Sequence, residues 1–161
     1  MRHLFLATAT AFALVALVRA DEEKVPLDKV PKAILETVKK RFPKAEVKEA
    51  STEVNDEKKT VYEITLKENG KNIDVTLTPE GKLLVIEKEI DRKDLPKAVA
   101  ATFEEKYPKA TYKIVEEVIK VVDGKETLEY YEALLETADK KMFEVEILPD
   151  GKFKSETEKK E

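Results

Sequence analysis

The groups this chain can use for chemistry are carboxylates, amines and hydroxyls. It holds 34 acidic and 30 basic residues, no cysteine and no tryptophan, and its one histidine is His3. A serine or cysteine nucleophile relies on an imidazole base, which residues after His3 cannot supply. Zinc and copper sites draw mainly on imidazole and thiolate ligands, which are missing in the same way. The expectation is no catalytic residue, no metal and no cofactor. Paired carboxylates of the glycosidase kind are formally open. With 34 acids such pairs arise by chance, and no tryptophan platform for a sugar accompanies them. Calcium could use Asp123-Gly124, Asp139 or Asp150-Gly151. None has the acid spacing of an ion-binding loop, and an acid before glycine is more simply a hairpin turn.

Recognition is the remaining use for these side chains. The run Tyr130-Tyr131-Glu132-Ala133-Leu134-Leu135 alternates like a strand. Its period of two sends Tyr130, Glu132 and Leu134 to one face. Glu144 and Glu146 fall on the same face of a neighbouring strand. Aromatic and apolar side chains ringed by carboxylates suit a binding surface. Tyr130, Glu132, Leu134 and Glu144 are the candidate binding residues. The competing reading packs Tyr130 and Leu134 against the other half of the chain.

The elements that must position these residues are written twice. Pro31-Lys32-Ala33 and Arg41-Phe42-Pro43-Lys44-Ala45 return as Pro96-Lys97-Ala98 and Lys106-Tyr107-Pro108-Lys109-Ala110, at a constant offset of 65 residues. Val61-Tyr62-Glu63 returns as Tyr130-Tyr131-Glu132, and Pro79-Glu80-Gly81-Lys82 as Pro149-Asp150-Gly151-Lys152. The offset grows to 70 there, so the second copy carries about five extra residues in its first hairpin. Each copy opens with an amphipathic helix: Leu27, Val30, Ile34, Val38 and Phe42 in one, Leu95, Val99, Phe103 and Tyr107 in the other. Asp28 and Asp94 are candidate N-caps. Pro43 and Pro108 should stop the helices, because a residue before proline is pushed out of helical geometry.

Four strands are predicted after each helix. They are 46–54, 60–68, 72–78 and 82–90, then 111–122, 127–137, 141–148 and a weak 152–156. The short connections call for antiparallel meanders. Tyr62, Ile64, Leu66, Ile73, Val75 and Leu77 should face the first helix. Tyr131, Ala133, Leu135, Phe143, Val145 and Ile147 should face the second. The fold class is α+β: a tandem repeat of a helix plus a four-stranded antiparallel sheet. The short join 90–94 favours two copies packed together, with separate beads as the other arrangement.

The first twenty residues differ from the rest. A basic start, the uncharged run Leu4–Val18, and Val18-Arg19-Ala20 before Asp21-Glu22-Glu23 form the layout of a secretory signal peptide. The expected organisation is a signal peptide over 1–20, units over 21–90 and 91–157, and a charged, frayed tail from 158. The protein is then exported, periplasmic or secreted. Net charge is −4 for the whole chain and more negative once Arg2 and Arg19 are removed. That argues against nucleic acid and anionic membrane as partners.

The ordered set of a Pro-started helix, Phe/Tyr-Pro-Lys-Ala, a Val-Tyr-Glu strand and Pro-acid-Gly-Lys resembles the PepSY-like family. These are exported bacterial domains likened to β-lactamase inhibitors. The resemblance spans Val25–Thr157, twice over. It implies a duplicated α-β-β-β-β unit whose sheet face is available to a protein, with no catalytic residues to carry over. β-Lactamase inhibitory proteins of this architecture contain disulfides, and this chain has no cysteine. A shared fold does not fix function. The leading expectation is an exported, non-enzymatic binding module, inhibitor-like toward an envelope or extracellular enzyme. The competing expectations are a small-ligand carrier of the cell envelope and a carboxylate-dependent hydrolase. Function is expected where the copies differ, around Val115–Tyr131.

Overall fold

The structure is a computed structural model that describes residues 23–55 and 57–159. The predicted signal peptide lies outside the described residues. The elements in chain order are β1 (Glu23–Lys24), α1 (Lys32–Arg41), β2 (Glu46–Val54), β3 (Thr60–Glu68), β4 (Lys71–Leu77) and β5 (Leu83–Glu89). They continue with α2 (Lys97–Lys106), β6 (Thr111–Val122), β7 (Lys125–Glu136), β8 (Met142–Ile147) and β9 (Phe153–Lys159). The class is α+β, and the copies do pack together as expected, but the strands do not divide into one four-stranded sheet per copy. Among the described residues all strands join one nine-stranded antiparallel sheet whose order follows the chain. Strand β5 pairs with β6, from Val85↔Lys120 to Glu89↔Glu116, and so welds the copies.

The helix boundaries come from proline. Pro31 and Pro96 precede the helices in near-identical extended conformations, with φ −54° and −56°. Asp28 and Asp94 do not cap them, contrary to the sequence expectation. Both sit one turn earlier, in the 3₁₀ turns Leu27–Lys29 and Arg92–Asp94. Phe42 and Tyr107, each before a proline, leave the helix at the same φ −126° and ψ 65°.

Both helices lie on one face of the sheet. Ile34 and Val38 pack on Ile64, Leu66, Val75, Leu77 and Ile86. Val99 and Phe103 pack on Val115, Tyr131, Ala133, Leu135, Val145 and Ile147. Burying such side chains stabilises by roughly 1.5–3 kcal/mol each. Each Pro-acid-Gly-Lys turn clasps its helix. Thr37 Oγ1 donates to the Gly81 carbonyl at 2.9 Å, and Thr102 Oγ1 to that of Gly151 at 2.6 Å. Gly81 has φ +83°, and a Cβ there would stand 2.6 Å from the Ala33 carbonyl oxygen. The turn and the Pro-Lys-Ala segment recur together because they touch.

The extra residues of the second copy lengthen β6 and β7 to twelve residues each. Their far end belongs to the first copy. Val121 is buried in the first core, Ile119 packs against it, and Glu126 accepts from Arg41 at 2.6 Å. The weak strand predicted over 152–156 is present and runs on into residues expected to fray. Residues 153–159 form β9, paired along β8 from Ile147↔Phe153 to Met142↔Lys159. Among the described residues no helix is long and apolar enough to cross a membrane.

Candidate functional site

With both helices on one side, the opposite face of the sheet carries no helix among the described residues. Cross-strand register decides what stands there. Glu89↔Glu116, Glu116↔Glu132, Glu132↔Glu146 and Glu146↔Ser155 are successive partners from β5 to β9. Directly opposed residues share a face with Cβ atoms about 4.5–5.5 Å apart. Four glutamates therefore form one row across four strands.

All four predicted binding residues are on this face. Glu132 is central and buried, 8% exposed, while Tyr130, Leu134 and Glu144 are half-buried. Tyr130 and Leu134 belong to neither helix-side core. Opposite Tyr130 stands Val118, and opposite Leu134 stand Ile114 and Glu144. Sequence reading passed over Glu89 and Glu116. A signal existed, because Glu116 lies 65 residues after Ser51 and turns a neutral repeat position acidic.

Beside the row lies a depression of about 270 Å³ where the copies meet. Val61, Val85, Val118 and Leu84 supply apolar lining, with Tyr130 and Glu87 toward the glutamates. Two β-bulges help build it. Register shifts at Thr76/Leu77 and at Val118/Ile119 leave Leu84 and Glu129 as extra residues, and both line the depression. A bulge re-aims side chains in this way.

Lysines of β9 hold the outer end of the acid row. Lys154 contacts Glu146 and sits 3.8 Å from the centre of the Tyr130 ring. Lys159 pairs with Glu144 at 2.8 Å. Ser155 also donates to Glu146. Glu132 and Glu116 have no side-chain hydrogen bond or ion pair among the described residues. Burial pushes the Glu132 carboxyl up to about 9, helped by Glu144, Glu87, Glu116 and Glu146. Burial likewise lifts Glu116 to about 8, with Glu87, Asp74, Glu89 and Glu144 adding repulsion. Burial raises the Tyr130 hydroxyl as well.

The calcium candidates lie elsewhere. Asp123 pairs with Lys82 at 3.3 Å, Asp139 accepts from Thr137 at 2.6 Å, and Asp150 pairs with Lys152 at 2.7 Å. Among the described residues no group of three or more acids is arranged to hold a metal.

The family model described as "Putative beta-lactamase-inhibitor-like, PepSY-like" matches twice, over residues 16–85 and 84–156. The chain belongs to this family. Solved structures share the PepSY-like fold seen here. A BLIP-like protein from Bacteroides fragilis is 20% identical, with TM-score 0.56, covering 79% of this chain and 84% of its own. A protein called putative periplasmic, from Bacteroides eggerthii, is 15% identical with TM-score 0.64, covering 80% and 88%. A DUF2874 family protein from Bacteroides uniformis is 17% identical with TM-score 0.62, also covering 80% and 88%. At these identities the likeness is one of fold. No curated protein matches this PepSY-like chain.

Proposed function

We propose that this chain is an exported, non-enzymatic module that binds a protein on the helix-free face of its sheet. The observation that carries this reading is the placement of both helices on the other face. The free face keeps Tyr130, Leu134 and a lined depression. A rigid sheet presenting aromatic and apolar anchors among polar groups suits protein recognition. Export fits the signal-like N-terminus and the periplasmic description of the Bacteroides eggerthii neighbour. The inhibitor-like form of the reading follows the family description, with an envelope or extracellular enzyme as the target.

The hydrolase reading fares worse on the geometry. A glycosidase pair holds one carboxyl protonated and the other ionised across a substrate. Glu116 and Glu132 stand side by side on one wall, and their surroundings raise both.

The test places a photo-crosslinking residue at Leu134 and, separately, at Glu105 on the exposed side of α2, in the protein expressed in its own cell. A discrete crosslinked product from position 134, absent from position 105, is expected. Equal products from both positions, or none from 134, would overturn the reading.

A further inference from the structure

We propose that the centre of the glutamate row is a receptor for a basic side chain, arginine or lysine, on the protein that docks there. This deepens the proposed function and rests on its reading of the helix-free face. Three separate observations lead to it.

The first is a crowding of like charge around a mostly buried carboxylate whose oxygens still touch water. Glu132 is 8% exposed and stands among Glu116, Glu144, Glu146 and Glu87. Buried carboxylates are ordinarily paired or hydrogen-bonded, because removing them from water costs several kcal/mol. Glu132 and its neighbour Glu116 lack a side-chain donor or cation among the described residues. An arriving cation would supply the missing counter-charge.

The second is an intramolecular example. Lys154 already lays its ammonium over the Tyr130 ring while contacting Glu146. Lys159 pairs with Glu144 on the same face. The face thus accepts basic side chains in the arrangement proposed. Strand β9 reaches the β8 acids, and the acids of β6 and β7 lie further in.

The third is room for the stem. The depression beside Glu87 and Tyr130 is lined by Val61, Val85 and Val118. A basic side chain buries its methylenes on apolar surface and extends its charged head beyond. Two glutamates on adjacent strands suit the planar fork of arginine better than a point charge. The proposal therefore favours arginine over lysine.

Charges facing the pair come from every packed element. They are Asp74 of β4, Glu87 and Glu89 of β5, Lys120 of β6, Glu129 of β7, Glu144 and Glu146 of β8, and Lys154 and Lys159 of β9. Acids outnumber bases in this set. A cation entering it draws protons off Glu116 and Glu132, so binding should tighten as pH rises from 6 to 9.

The test uses the chain from Asp21 onward, an acetylated and amidated tetra-arginine peptide, and a tetra-glutamate control. Amide NMR shifts are followed at pH 6 and pH 9. The expected result is peptide-dependent shifts centred on Glu116, Val118, Tyr130 and Glu132 with tetra-arginine alone, tighter at pH 9. Glu132→Gln keeps the shape and removes the charge; with Glu116→Gln it should weaken binding at least tenfold. Glu105→Gln should change it less than twofold. Shifts spread over all acidic surfaces, or equal binding by the double variant, would overturn the receptor. Tight calcium binding that needs Glu132 and blocks the peptide would overturn it too. The crosslink from position 134 separates the two readings. If it persists in the double variant while peptide binding was never seen, docking stands and the basic receptor falls.

Discussion

The two copies agree on one face of the sheet and differ on the other. At the same place in each meander, Ser51, Glu63 and Thr76 of the first copy answer to Glu116, Glu132 and Glu146 of the second. Beside them, Val61 answers to Tyr130 and Asp74 to Glu144. The first copy keeps a mild row: Ser51 is buried and uncharged, and Thr65 donates to Asp74 at 2.6 Å. The second turns that row into stacked carboxylates. On the helix side, by contrast, Val38 and Phe103 fill equivalent core positions, and the two glycine turns make the same hydrogen bond. A scaffold repeated on one face has left the other face free to change its charge.

The largest effect should come from breaking what the copies share. Gly81→Ala must place a Cβ 2.6 Å from a backbone oxygen, at a φ that disfavours any side chain. Gly151→Ala meets Ala98 at 2.9 Å under the same constraint. Each should cost about 2–4 kcal/mol in chemical denaturation. Gly124→Ala, at the tip of the hairpin that is longer in the second copy, has nothing within 4 Å and should cost only about 1 kcal/mol. Equal losses at all three would deny the turns their clasping role.

A middle-sized effect should appear where the copies differ. The folded chain holds the Glu132 proton up to about pH 9, whereas an ordinary carboxyl loses it near 4.5. Unfolding between these values releases a proton, so this group's stabilising contribution is present at low pH and is lost as pH rises through the window. Glu132→Gln should therefore gain on the parent as pH goes from 5 to 9, by on the order of 1–3 kcal/mol. Thermal melts across that range measure it. A stability difference that stays flat with pH would mean that the row is no more strained than Ser51 and Glu63.

The smallest effect belongs to the seam. Glu126→Gln removes the partner of Arg41, a half-exposed ion pair between the copies. It should cost no more than about 0.5 kcal/mol in melts at low salt, and less at high salt. A larger loss would make surface charge, rather than β5–β6 pairing and buried Val121, the bond between the copies.

Much of this was legible beforehand, for identifiable reasons. Period-two alternation placed Tyr62 and Tyr131 inward and Tyr130, Glu132 and Leu134 outward, because one face of each strand is apolar. Proline marked both helix ends. What escaped was long-range or unpatterned. Strand β1 is two residues long and has no alternation to read. Strand β9 reads only as a weak strand over 152–156, and register with β8 carries it on through the charged end to Lys159. The glutamate row depends on how four strands align, and two bulges shift that alignment beside it. Glu116 could not be joined to Glu132 from spacing alone. The long hairpin around Val115–Tyr131, expected to hold the function, turned out to be divided. Its tip fastens the copies, and its base carries part of the row.

Because strand order follows chain order throughout, every pairing after β1 joins a strand to its neighbour in sequence. Within each copy the loops that must close are those of hairpins, and the longest gap between paired neighbours after β2 is the one spanned by α2. Closing short hairpin loops costs little chain entropy. A meander of this kind can add strand upon strand from the N-terminal side, without waiting for the far end of the chain.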